Sequence, residues 1–175
     1  MDMINRNIDS KSLVVVNDFL PAETFGKIRD RMLSDAFPWF YSPFKTYAED
    51  NNNPHDSQLT HTFFYSDKWN SDAYWAVDPV LSIVDPKVLV RIKANLTLPT
   101  DSVRTCGMHT DFDNSLITTG ILYLTETDGG TAFADGEFVE SVPNRFAYFN
   151  ATKAHSAQTF TNAKVRCVIN FNFVL

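Results

Sequence analysis

From Val88 to Leu175 the sequence breaks into short β-prone runs, each closed by a turn signal, and few folds are built that way. The expected strands are Val88–Leu98, Leu116–Thr125, Thr131–Ala134, Phe138–Ser141, Phe146–Phe149, His155–Phe160 and Val165–Val174. Asp128-Gly129-Gly130, Asp135-Gly136 and Pro143-Asn144 supply the residue types that tight turns need. Helical spacing comes earlier. Ala22, Phe25, Ile28, Arg29 and Met32 follow Pro21 at that period, and Tyr74, Val77, Leu81 and Val84 repeat it over Ser71–Val84, where Pro79 should kink the helix. Leu13–Val16 reads as a short buried strand, and Thr60–Tyr65 is aromatic and β-prone. Many short strands preceded by helices predict a mainly β (α+β) chain, a jelly roll with helices on one outer face. We expect a single domain over residues 1–175, with supporting helices in 1–87 and the jelly-roll core in 88–175.

Composition narrows the function. Hydrophobic residues make up 44% of the chain and Phe occurs 15 times, enough burial to exclude a disordered chain. The formal net charge is −6 and no Lys/Arg run stands out, so no nucleic-acid partner is expected. Cys106 and Cys167 lack any paired-thiol spacing, Met1 to Lys11 lacks the apolar stretch of a signal peptide, and apolar runs such as Leu13–Val16 are too short to cross a bilayer. A cytoplasmic protein with no membrane partner is expected. Residues 41–57 are polar, centred on Asn51-Asn52-Asn53-Pro54, and a connection of that length is a candidate lid.

Four histidines occur, at positions 55, 61, 109 and 155. In His109-Thr110-Asp111 an imidazole and a carboxylate stand two residues apart, so an extended segment directs both to one side. With His155 they would make two histidines and one carboxylate on one face of a metal, the facial triad of non-haem iron(II) sites that leaves coordination positions open. A surface histidine beside an aspartate gives the same tripeptide, and His155 alone could be structural. Cys106 is read as a buried thiol, not a further ligand. Asp113, with the same parity as Asp111, is either behind the site or exposed, and His61, Arg104, Trp69 and Trp75 could line a substrate mouth or simply pack.

Arg166 adds weight to the metal reading. It lies 11 residues after His155, with Thr161-Asn162-Ala163-Lys164 as a plausible turn between, so His155–Phe160 and Val165–Val174 are expected to be antiparallel neighbours. Arg166 would then face Thr159, about 13 Å along the strand from His155, a gap that a guanidinium and a five-carbon dicarboxylate could fill together. Arg166, Val168, Asn170, Asn172 and Val174 share one face of the last strand, and Cys167, Ile169, Phe171 and Phe173 the other. Either the polar face lies in water or it forms the barrel mouth. Ile117, Thr119, Ile121, Tyr123 and Thr125 likewise share a face.

Gly107-Met108-His109-Thr110-Asp111, Ile121-Leu122-Tyr123-Leu124, Gly129-Gly130-Thr131, Asn144–Phe149, His155-Ser156 and Arg166–Phe171, in that order, resemble the core of prolyl-hydroxylase-like 2-oxoglutarate/iron(II) oxygenases. The resemblance runs from about Val88 to the C-terminus, and Val14–Leu20 is similar too. It implies a double-stranded β-helix, the cupin-like jelly roll, with Fe(II) held by His109, Asp111 and His155. It also implies 2-oxoglutarate and O2 as cosubstrates, Arg166 on the distal carboxylate, Tyr123 as a second donor to it, and Thr119 and Asn170 nearby in the pocket. The implied activity is hydroxylation of a peptide, protein or small molecule, prolyl residues among the candidates, with succinate and CO2 as coproducts. Leu98-Pro99 stands where many relatives carry Tyr-Pro, which puts the prolyl substrate in question. Retention of Asp111, which related halogenases lack, favours hydroxylation. The alternatives are a cupin-like metalloenzyme that uses no 2-oxoglutarate and a catalytically silent binding module on the same fold.

Overall fold

A computed structural model describes residues 4–9, 11–45 and 57–175. Most of residues 41–57, the candidate lid, lies outside these residues, as does His55.

Helix α1 runs over Ala22–Met32, with Pro21 at its N-cap and Phe25, Ile28 and Met32 turned inward. The second helical stretch is shorter than its periodicity predicts. A 3-10 turn at Tyr74–Ala76 leads into α2 at Asp78–Val84, and Pro79 sits in the first turn of α2. Proline has no N–H to give and a φ preset for helix, so it starts this helix and does not kink one.

The described strands are β1 (Leu13–Val16), β2 (Phe40–Ser42), β3 (Gln58–Tyr65), β4 (Lys68–Trp69), β5 (Val88–Thr97), β6 (Thr118–Tyr123), β7 (Gly130–Phe133), β8 (Phe138–Glu140), β9 (Phe146–Asn150), β10 (His155–Ala157) and β11 (Arg166–Val174). The larger antiparallel sheet has the order β1-β9-β6-β11-β5-β3-β2, with β4 on β3, and the smaller has the order β10-β7-β8. After β6 the chain goes to β7 and β8 in the small sheet, returns to β9, crosses to β10 and comes back to β11. This is the double-stranded β-helix expected from the sequence.

The expected pairing of the strands holding His155 and Arg166 is not observed. β10 pairs with β7, matching His155 to Phe133, whereas β11 lies between β5 and β6 in the other sheet. Arg166 is therefore opposite Thr97, not Thr159. The physical cause lies in the segment between them. The Thr159 hydroxyl accepts from the Arg104 N–H and donates to the Ser102 carbonyl, and Asp128 accepts from the Thr161 N–H and hydroxyl. These bonds carry residues 159–165 from one sheet to the other, where a tight hairpin would have kept them in one.

The large sheet buries both faces. Ile92, Ala94, Leu122, Cys167, Ile169, Phe171 and Phe173 pack with α1 and α2 in the main core. The opposite face contributes Ile121, Tyr123, Ala147, Phe149 and Val168, which meet Phe133 and Val139 of the small sheet in a second core. The alternation along β11 thus separates two interiors. The cavity opens beside the second one.

Candidate metal and dicarboxylate site

Backbone pairing assembles the site. The His109 N–H donates to the His155 carbonyl and the His155 N–H to the His109 carbonyl, both at 2.9 Å. The Asp111 N–H donates to the Ala151 carbonyl at 3.2 Å. The histidine rings come within 4.7 Å of each other, centroid to centroid. One ligand atom from each of His109, Asp111 and His155 lies within 4.8 Å of the others. It is the only such group of three among the described residues.

Hydrogen bonding prepares each of these groups to ligate a cation. His155 Nδ1 is 3.0 Å from the Lys153 carbonyl, and His109 Nδ1 is 3.4 Å from that of Gly107. A carbonyl can only accept, so these bonds put the proton on Nδ1 and leave Nε2 as the lone-pair donor. Burial lowers the His155 pKa against the pull of the Asp111 carboxylate, which keeps the ring neutral. Burial acts on Asp111 in the opposite sense, raising it. The Arg91 guanidinium and hydrogen bonds from Thr119 and Asn172 outweigh that effect and hold the carboxyl below its usual range.

Arg91, which stands behind Asp111, escaped the sequence reading. Arg91 Nη2 donates to Asp111 Oδ1 at 2.8 Å, and Arg91 Nε to Asn172 Oδ1 at 2.9 Å. Asn172 Nδ2 donates to Asp111 Oδ2 at 3.0 Å, as does the Thr119 hydroxyl at 2.8 Å. Each carboxylate oxygen therefore has a fixed donor and the carboxylate a fixed orientation. A signal was available: Arg91, Lys93, Asn95 and Thr97 alternate with Ile92, Ala94 and Leu96, so one face of β5 is polar in an otherwise apolar strand.

A cavity of about 270 Å3 adjoins the cluster, walled by both sheets. Arg166, Asn170, Ile121 and Val168 line it from the large sheet, and Thr131, His155 and Ala157 from the small one. Arg166 is 4% exposed, and among the described residues its Nη2 finds only the Thr131 hydroxyl, at 3.4 Å. Its Nε is buried with no partner among the described residues. No carboxylate reaches it there, whereas a buried guanidinium ordinarily has one.

Two sequence-predicted residues sit differently from the rest. The Thr119 hydroxyl is spent on Asp111, so Thr119 stands behind the cluster and not on the cavity wall. Tyr123 is fully buried, with its hydroxyl donating to Thr131 Oγ1 at 2.7 Å and its ring 5.7 Å from the Arg166 guanidinium carbon. It touches the cavity through Thr131. His61 lies elsewhere, between the Pro38 carbonyl and the Ser71 hydroxyl, and Asp113 and Arg104 are exposed. Cys106 is half-buried on the cavity wall with Lys45 Nζ 3.7 Å away.

No family model matches the sequence, and no curated protein is found as a relative. Solved structures do match. A Pseudomonas putida prolyl-4-hydroxylase superposes with a TM-score of 0.60 at 16% identity, covering 93% of this chain and 92% of that one. The epimerase SnoN in complex with Fe3+, α-ketoglutarate (2-oxoglutarate) and nogalamycin RO superposes with a TM-score of 0.62 at 12% identity, covering 95% and 79%. A Trichoplax adhaerens prolyl hydroxylase in complex with a hypoxia inducible factor peptide fragment gives 0.62 at 11% identity, covering 93% and 83%. The chain has the fold of the 2-oxoglutarate/iron(II) oxygenases.

Proposed function

We propose that the protein is an iron(II)- and 2-oxoglutarate-dependent oxygenase that hydroxylates its substrate. One observation carries this reading: Arg166, a buried guanidinium with no anion among the described residues, shares a cavity with a cluster of two histidines and one carboxylate. The donor set suits a divalent first-row metal with open positions. The unsatisfied guanidinium suits the far carboxylate of a dicarboxylic acid chelated at that metal. The metal and cosubstrate, when bound, supply the oxidising power. With both bound, one oxygen atom of O2 would enter a substrate C–H bond, the other would enter succinate, and the cosubstrate's carboxyl would leave as CO2.

The chain's own residues bind and orient. His109, Asp111 and His155 hold the metal, and Arg91, Asn172 and Thr119 fix the ligating carboxylate. Arg166 anchors the cosubstrate in the buried end of the cavity, and Tyr123 fixes the Thr131 hydroxyl beside it. A cupin-like enzyme that uses no 2-oxoglutarate, or a silent binding module, would leave Arg166 without a role. The fold alone does not choose a substrate, since proteins of this shape have been solved with a peptide and with nogalamycin RO. Free thiols at Cys106 and Cys167 agree with a reducing compartment such as the cytoplasm. Among the described residues no helix is long and apolar enough to cross a membrane.

The test is a 2-oxoglutarate titration at fixed metal. Loss of one member of a buried charge pair costs about 3–5 kcal/mol. Arg166→Ala should thus weaken 2-oxoglutarate by about two to four orders of magnitude, at about 1.4 kcal/mol per tenfold. Arg166→Lys should recover part of the loss, because it keeps the charge without the two-pronged geometry. Metal affinity should not change. Undiminished 2-oxoglutarate affinity in Arg166→Ala would contradict the assignment.

A further inference from the structure

The metal cluster and Arg166 do not exhaust the polar groups of this cavity. Across from them the inward face of β5 presents Arg91, Lys93, Asn95 and Thr97. Arg91 is committed to Asp111. Lys93 stands opposite Asn170 in the β5–β11 ladder and lines the cavity, and so does Lys45, just beyond β2. Gln58 holds the Lys45 segment in place by donating to the Phe44 and Lys45 carbonyls at 3.3 and 3.1 Å. Among the described residues no carboxylate pairs with either ammonium, and Lys93 Nζ has no hydrogen-bond acceptor.

Charge distribution makes this wall unusual. Among the described residues, four cationic side chains line the cavity against the single carboxylate of Asp111, in a chain whose net charge is −6. Lys93 is half-buried, and burial together with the neighbouring Arg91 pulls its pKa below that of an ordinary lysine. An ammonium drawn out of water beside another cation is unfavourable until an anion joins it. The cosubstrate does not provide that anion. A dianion chelated to a divalent metal is already balanced, and its far carboxylate belongs to Arg166, whose ladder partner Thr97 is four residues, about 13 Å, along β5 from Lys93. Asn95 Oδ1, on the same face, is buried without a donor among the described residues. Among those residues, the wall therefore holds an ammonium without an anion and an amide oxygen without a donor.

We propose that the substrate is a small organic acid whose carboxylate is held by Lys93, with an N–H or O–H of the same molecule serving Asn95. An α-amino or α-hydroxy acid carries both groups. The cavity, at about 270 Å3 and shared with the cosubstrate, is of metabolite size. This inference rests on the oxygenase reading for the chemistry, but the anion site can be tested apart from it.

The experiment is calorimetric titration of the full chain, metal-free and loaded with zinc(II) and 2-oxoglutarate. The probes are α-amino and α-hydroxy monocarboxylic acids, their primary amides as neutral counterparts, and inorganic phosphate. At least one acid should bind tenfold or more tightly than its amide, and its affinity should fall as salt is raised. Lys93→Gln should weaken that acid tenfold or more, while leaving amide binding, 2-oxoglutarate binding and the melting temperature close to wild type. Lys93→Arg should retain most of the affinity. The proposal is overturned if no acid is preferred to its amide, if phosphate binds more tightly than every acid, or if Lys93→Gln weakens 2-oxoglutarate as much as the acid. Wild-type protein that binds an acid through Lys93 but never binds 2-oxoglutarate would refute the oxygenase reading and leave the anion site standing.

Discussion

Asp111, a ligand in the proposed metal site, shows how much one carboxylate depends on the residues behind it. Its carboxylate is buried, which by itself raises the pKa, and it stays ionised because Arg91, Thr119 and Asn172 donate to it. Replacing such supporting residues typically costs about 10–100-fold in metal affinity. Arg91→Met should therefore weaken iron(II) binding by about that factor. It should also move the acid limb of metal binding to higher pH, since burial then acts on Asp111 with less opposition. Chelator-competition titrations at several pH values would measure both, and wild-type affinity with an unmoved acid limb would show that Arg91 merely packs. The residues proposed as ligands were legible in the sequence as His109-Thr110-Asp111 and His155. Arg91 was not, because an arginine on a strand is as readily a solvated surface residue, and only the ladder with β11 brings it beside Asn172 and Asp111.

At the scale of the element, periodicity located strands well and partners poorly. The expected and observed limits of the strands from β5 onward differ by a few residues at most, but β10 and β11 occupy different sheets. Alternation of side chains fixes which residues share a face; it carries no record of which strand lies alongside. Sequential strands are neighbours more often than not, and in a jelly roll that prior misleads at each crossing between sheets. The Gly129-Gly130 pair has a similar lesson. The turn reading needs backbone freedom, yet neither glycine has the positive φ seen at Gly136. They provide room. A Cβ on Gly129 would lie 2.4 Å from the Thr159 carbonyl oxygen, and one on Gly130 2.2 Å from that of Val139. Backbone cannot yield as a flexible side chain does. Gly130→Ala should cost about 1–3 kcal/mol by forcing β7 and β8 apart, and chemical denaturation would read it. A midpoint unchanged from wild type would mean that the small sheet can widen at no cost.

The whole molecule separates its charges. A chain of net charge −6 gathers Lys45, Arg91, Lys93 and Arg166 around one cavity. A concave cationic pocket on an acidic body suits small anions and discourages a nucleic-acid backbone, which needs an extended basic surface. Single-stranded DNA or RNA should show no tight binding at physiological salt in a fluorescence-anisotropy titration. Tight binding that collapses with added salt would contradict this.

The same arrangement can be tested at its centre in one cuvette. Under anaerobic conditions the protein is titrated with iron(II), then with 2-oxoglutarate, and the visible spectrum is recorded at each step. If His109, Asp111 and His155 hold the metal and Arg166 the cosubstrate, a weak charge-transfer band should grow in with 2-oxoglutarate and saturate at about one equivalent. It should be missing from a folded His109→Ala protein. A wild-type protein that binds iron(II) and 2-oxoglutarate without producing the band, or a His109→Ala protein that produces it undiminished, would contradict the assignment.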